Sequence, residues 1–152
     1  MINLAGNNIA IFLYQFILRK NAISFVLNES IAEDMYPEVE DQIQAAKQLG
    51  AESYIDAERI GIWGWSYGGY MSSLCLFKGA DVFKTAVAVA PVTNWRFYDT
   101  IYTERYMGLP QDNGSGYDDN SPISHVEKLQ GNFLLVHGTG DDNVHYQNSV
   151  EM

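Results

Sequence analysis

Six consecutive residues, Gly64-Trp65-Ser66-Tyr67-Gly68-Gly69, constrain the fold of this chain more than any others. They separate the apolar run 60–63 from a helix-like stretch over 70–77. Glycines two places before and two places after a serine let a strand and a helix cross at backbone distance. The serine on the turn between them is pushed outward with its hydroxyl presented. The spacing alone is weak, because with glycine and serine each near 7% of residues, roughly one chain in twenty of this length holds it by accident. Its surroundings give it weight. Residues 59–63, Arg-Ile-Gly-Ile-Trp, suit a buried parallel strand, and Met71, Leu74, Cys75 and Lys78 follow at helical spacing. The pattern is that of a nucleophile elbow with Ser66 at its tip; the alternative is a glycine-rich turn with an incidental serine.

The rest of the chain is organised to match. From Pro37, which suits a first helical turn, Val39, Ile43, Ala46 and Leu49 recur on one face before Gly50, so an amphipathic helix is expected there. Residues 56–58 then make a turn into the strand at Ile60. Residues 85–90 alternate alanine and valine into Pro91 as a second buried strand, and 133–136 form a third that ends at His137-Gly138. Strands separated by helical or long irregular stretches predict an α/β protein, with a mostly parallel sheet covered by helices. Between the second and third strands lie Trp95, Phe97, Tyr98, Tyr102, Tyr106 and Met107. They leave the carboxyl end of a parallel strand, where open α/β sheets bind ligands. Residues 111–121 read as a polar loop.

With 152 residues, 47% of them hydrophobic, the chain can bury one core. Its net charge of −10 makes nucleic acid and anionic membranes poor partners. Cys75 is the only cysteine, which rules out an intrachain disulfide and a cysteine-based metal site. The apolar run 9–18 is shorter than the roughly 20 residues of a membrane span. Its basic residues, Arg19 and Lys20, follow it, the reverse of a secretory signal.

Four blocks in order go beyond a generic elbow: RIGIWGWSYGGY at 59–70, AVAPV at 88–92, YTERYMGLP at 102–110 and HGTGDDNVH at 137–145. They closely resemble the catalytic domain of the dipeptidyl peptidase IV-like branch of the prolyl oligopeptidase family of serine peptidases. The resemblance implies an α/β-hydrolase fold, present in part over 35–152, with 1–34 an unmatched apolar segment. It implies that Ser66 attacks the scissile carbonyl and forms an acyl-enzyme, and that the backbone N–H of Tyr67 donates to the oxyanion. Asp141 would orient the catalytic histidine, in the Ser, Asp, His order of this fold. Val92, Trp95, Tyr98, Tyr102 and Val144 would wall a pocket for proline, with Asn143 bonding the substrate's amide carbonyl. The implied substrate is a peptide with proline at its second position, released as an Xaa-Pro dipeptide. No metal or organic cofactor is implied, since a serine mechanism needs none. Relatives of this kind are often exported, periplasmic or on the cell surface, and a full-length parent is often a homodimer.

One element of the family pattern is not found. The triad's histidine lies beyond the aspartate in relatives, whereas His137 and His145 belong to the aspartate block and His125 precedes it. The chain as given is therefore expected to be nearly inactive, since losing the histidine alone costs roughly a millionfold in turnover. A non-catalytic, peptide-binding remnant and a carboxylesterase on the same fold are the alternative readings.

Overall fold

The computed structural model describes residues 10–14, as backbone, and 36–152. Four parallel strands, β1 (Ala10–Tyr14), β2 (Ile60–Trp65), β3 (Phe83–Val89) and β4 (Asn132–Val136), lie side by side in chain order. β1 falls inside the apolar run that matched no pattern, and it pairs with β2 from Ala10↔Ile60 to Tyr14↔Gly64. In the next two ladders Gly64 stands beside Ala88, and Ala88 beside Leu135.

Helix α1 (Tyr36–Gly50) leads into β2 and buries Val39, Ile43 and Ala46, as its apolar stripe requires. A 3-10 turn, Ala57–Arg59, links the two; Asp56 caps it by accepting from Glu58 N–H. Helix α2 (Tyr67–Lys78) joins β2 to β3 and is buried from Gly68 to Phe77. Such a helix has no polar face to spare. Its two buried serines are satisfied internally, Ser72 Oγ donating to Gly68 O at 2.7 Å and Ser73 Oγ to Gly69 O at 2.8 Å. Cys75 packs as an apolar side chain, its thiol pushed up to about 12 by burial.

Between β3 and β4 come a 3-10 turn (Trp95–Phe97), α3 (Thr100–Met107), α4 (Gly114–Asp119) and a longer 3-10 segment (Pro122–Lys128). The polar loop expected at 111–121 therefore contains a helix. Its sequence, GSGYDD, has poor helix propensity, and burial of Tyr117 holds it instead. A short α5 (Gln147–Glu151) follows β4. The expectation of a sheet covered on both faces is met on one face only among the described residues. Ile60, Ile62, Ala86 and Ala88 are buried, whereas Trp65, Leu134 and Val136 on the other face are 66%, 56% and 43% exposed. β4 is thus half uncovered, not a buried strand. No helix among the described residues is long and apolar enough to cross a membrane.

Candidate active site

The site begins where β2 stops. Ser66 has φ +57° and ψ −119°, a conformation that a residue with a Cβ rarely adopts and that costs on the order of 1–3 kcal/mol. Neighbouring backbone holds it there. Ser66 N–H donates to Val89 O at 2.9 Å, extending the β2–β3 ladder by one residue, and Ser66 O accepts from Tyr70 N–H at 3.0 Å. Gly64 is sterically required, and Gly69 is tightly packed. A Cβ on Gly64 would stand 2.3 Å from Gly68 O, and one on Gly69 would stand 3.0 Å from Val89 O and from Pro91 Cβ. Ser66 is therefore presented at the tip of a strained turn, half-buried, with Tyr67 opening the positive end of α2.

Tyr67 is anchored on its other side by α1. Its hydroxyl donates to Glu38 Oε2, and its ring lies 5.3 Å from that of Tyr70 and 6.1 Å from that of Trp95. Burial pushes the Glu38 carboxyl above its usual range; the Tyr67 hydroxyl opposes that rise and Asp41 adds to it.

The opposite wall leaves the end of β3. Ala90, at φ +43°, turns the chain outward, and Asp99 caps α3 by accepting from Tyr102 N–H at 2.8 Å. The aromatic side chains then pack in sequence. Trp95 stacks on Tyr102 at 6.2 Å, while Tyr98 meets Tyr102 edge-on at 5.4 Å. Burial, and after it the charge of Asp99, pushes the Tyr98 phenol up; burial raises Tyr102 as well. Both therefore remain neutral donors. Tyr98 donates to Asn143 Oδ1 at 3.0 Å, so Asn143 has its Nδ2 hydrogens to offer a ligand.

Ser66, Tyr67, Val92, Trp95, Tyr98, Tyr102 and Asn143 line one cavity of about 280 Å³. Seven residues singled out by sequence thus converge. Val144 does not line the cavity; it is 2% exposed in the core, and its carbonyl accepts from His137 Nε2 at 2.7 Å. Asp141 also stands outside the lining. Its Oδ1 accepts from Asn143 N–H and Val144 N–H at 3.0 Å each, and its Oδ2 lies 3.6 Å from His137 Nε2. The carboxylate therefore shapes the turn that carries Asn143. His137 is engaged at both nitrogens, with Nδ1 2.6 Å from Ser149 Oγ, and His125 bonds Asp119 O and Lys128. None of the three histidines lines the cavity. Sequence reasoning missed the Glu38 anchor and a buried Thr93–Asn148 tie, because each joins residues far apart in the chain.

A strained serine beside a helix N-terminus and an apolar cavity defines a hydrolase of the elbow type. Residues 31–152 match the profile described as the prolyl oligopeptidase family, and the chain belongs to that family of serine peptidases. Dipeptidyl peptidase 4 of Felis catus is 53% identical over 118 residues, covering 76% of this chain and 15% of that protein. A protein of Paracoccidioides lutzii named probable dipeptidyl-aminopeptidase B is 57% identical over 116 residues, covering 74% of this chain and 13% of its own length. The crystal structure of Porphyromonas gingivalis dipeptidyl peptidase 4 superposes with a TM-score of 0.77 at 50% identity, covering 79% of this chain and 17% of that one. The chain spans about 15% of the length of the curated relatives it matches.

Proposed function

We propose that these residues form the nucleophile-bearing part of a serine dipeptidyl peptidase that removes Xaa-Pro dipeptides from the amino ends of peptides. The observation that carries this reading is the cavity, which joins the hydroxyl-bearing turn at Ser66 to the ring wall of Trp95, Tyr98 and Tyr102. A pyrrolidine ring gains from apolar and aromatic walls and needs no charge for recognition. Ser66 Oγ attacks the carbonyl carbon of that proline and its proton passes to a base. The carbonyl oxygen, now charged, is stabilised by Tyr67 N–H. The base returns the proton to the departing amine, and water then cleaves the acyl-enzyme. Asn143 Nδ2 donates to the carbonyl of the substrate's first residue, while Asp141 orients the base.

The base is not one of His125, His137 or His145, since none lines the cavity and His137 has both nitrogens occupied. Alone, the 152-residue chain is therefore expected to turn over roughly a millionfold more slowly than a complete triad. The test compares a Gly-Pro anilide, a Gly-Ala anilide and a short acyl ester as substrates of the full-length peptidase of which we propose these residues are part. Preference for Gly-Pro with covalent labelling of Ser66 is expected. Hydrolysis of the ester alone would sink the peptidase reading.

A further inference from the structure

Besides the Ser66–Tyr67 turn that follows β2, the cavity is walled by two separate segments, one leaving β3 and carrying Val92, Trp95 and Tyr98, the other leaving β4 and carrying Asn143. One backbone bond, Ala90 N–H to Val136 O at 2.7 Å, extends the ladder past β3, after which the strands give way to irregular chain. Beyond that point a buried polar tie joins the two segments. Asn148, at the start of α5, and Thr93, next to Val92, are both fully buried. Asn148 Oδ1 accepts from Thr93 N–H at 2.9 Å and from Asn94 N–H at 3.4 Å, and Thr93 Oγ1 donates to Asn148 O at 2.6 Å. Asn148 Nδ2 in turn donates to His145 O at 3.1 Å, which binds the tie to the turn that carries Asn143. On its other side the aromatic segment is held by Ile123 N–H to Thr93 O at 3.1 Å and by Trp95 N–H to Ser121 Oγ at 3.2 Å.

We infer that Thr93 and Asn148 are positioning residues that set the distance between the two walls, and with it the cavity's selectivity for proline over smaller residues; this rests on the peptidase reading above. Neither side chain lines the cavity, so both act through Val92, Trp95 and Asn143. The short contact makes the effect calculable. A methyl carbon settles about 3.3–3.6 Å from a carbonyl oxygen. Thr93→Val therefore places a carbon where an oxygen now sits at 2.6 Å and opens the gap by about 0.7 Å. One methylene in an apolar pocket is worth about 10- to 200-fold in discrimination, so a loosened wall lowers the proline advantage by about tenfold.

The experiment measures kcat/KM for Gly-Pro and Gly-Ala anilides with full-length enzyme carrying Thr93→Val or Thr93→Ser, alongside the rate at which a small phosphonyl fluoride labels Ser66. Thr93→Val is expected to cut the Gly-Pro to Gly-Ala ratio by about tenfold, mainly through KM for Gly-Pro, with labelling changed by less than about twofold. Thr93→Ser, which keeps the hydroxyl, retains the ratio. An unchanged ratio in Thr93→Val overturns the inference, and so does an equal loss of ratio and labelling in both variants, which marks a merely structural role. If Thr93→Val does not fold, Thr93→Ala deletes the same bond without forcing the gap open; there any fall in the Gly-Pro to Gly-Ala ratio with labelling unchanged supports the tie, and an unchanged ratio overturns it. A wild-type enzyme with no preference for Gly-Pro overturns the proline-directed reading on which the tie rests, whereas a wild-type preference that survives Thr93→Val removes only the tie.

Discussion

Replacing Gly64 by alanine tests the geometry on which the nucleophile depends. The added Cβ would stand 2.3 Å from Gly68 O, 2.4 Å from its carbonyl carbon and 2.7 Å from its Cα. All three are backbone atoms, so no side chain can swing away. Restoring an ordinary contact of about 3.3 Å requires strand and helix to part by about 1 Å. Neither partner is free to yield. β2 is held by Gly64 beside Ala88 and by the Ser66 bond to Val89 O, and α2 is buried from Gly68 to Phe77. Overpacking against adaptable side chains costs about 1–3 kcal/mol, so a clash between two fixed backbones should cost at least about 3 kcal/mol. At about 2–4 °C per kcal/mol for a domain of this size or somewhat larger, Tm should fall by at least about 6 °C. Thermal unfolding followed by circular dichroism measures it, with Gly138→Ala as the control, since a Cβ there meets nothing within 4 Å. Labelling of Ser66 by a phosphonyl fluoride should also slow, because the turn moves with the crossing. A Gly64→Ala protein that melts within about 2 °C of the control and is labelled equally fast would refute the steric argument.

Three further outcomes follow from the same site. Ser66→Gly should melt about 2–12 °C above Ser66→Ala, because only glycine relieves the strain at φ +57°; equal melting would mean that the turn stores none. The Glu38 carboxyl, raised by burial above its ordinary 4.5, contributes stability that is full below the unfolded pKa and is lost as pH rises through the folded one. The stability of Glu38→Gln relative to wild type, read from urea midpoints, should therefore increase with pH across that window, and a pH-independent difference would contradict it; among the described residues, the titratable groups that face this carboxyl are Tyr67, Asp41, Tyr70 and Tyr102. Tyr98→Phe releases Asn143 Oδ1, and at about 0.5–1.5 kcal/mol per hydrogen bond KM for a Gly-Pro anilide should rise about two- to tenfold; an unchanged KM would detach Asn143 from substrate binding.

The parts of the protein that were legible in sequence are those whose cause is local. Gly64, Ser66 and Gly68 announce the elbow because the crossing is made by residues within one turn of each other, and Val39, Ile43 and Ala46 announce α1 because burial repeats with the helical period. Where the cause is distant, the pattern misleads. GSGYDD reads as loop, yet Tyr117 packs it into a helix, and the apolar sequence of β4 reads as a strand buried on both faces although Leu134 and Val136 are exposed.

The same division runs through the site. The nucleophile is made by backbone sterics within a few residues, so one motif suffices to find it. The pocket needs Tyr98 against Asn143 across 45 residues, Thr93 against Asn148 across 55 and Glu38 against Tyr67 across 29. Threonine and asparagine are also common turn residues, so nothing in composition marks this pair as buried partners. It follows that substitutions at the elbow should slow reaction with every electrophile, large or small. Those at the Thr93–Asn148 tie should instead alter which substrate is chosen while leaving Ser66 reactive, because they move the walls and not the turn.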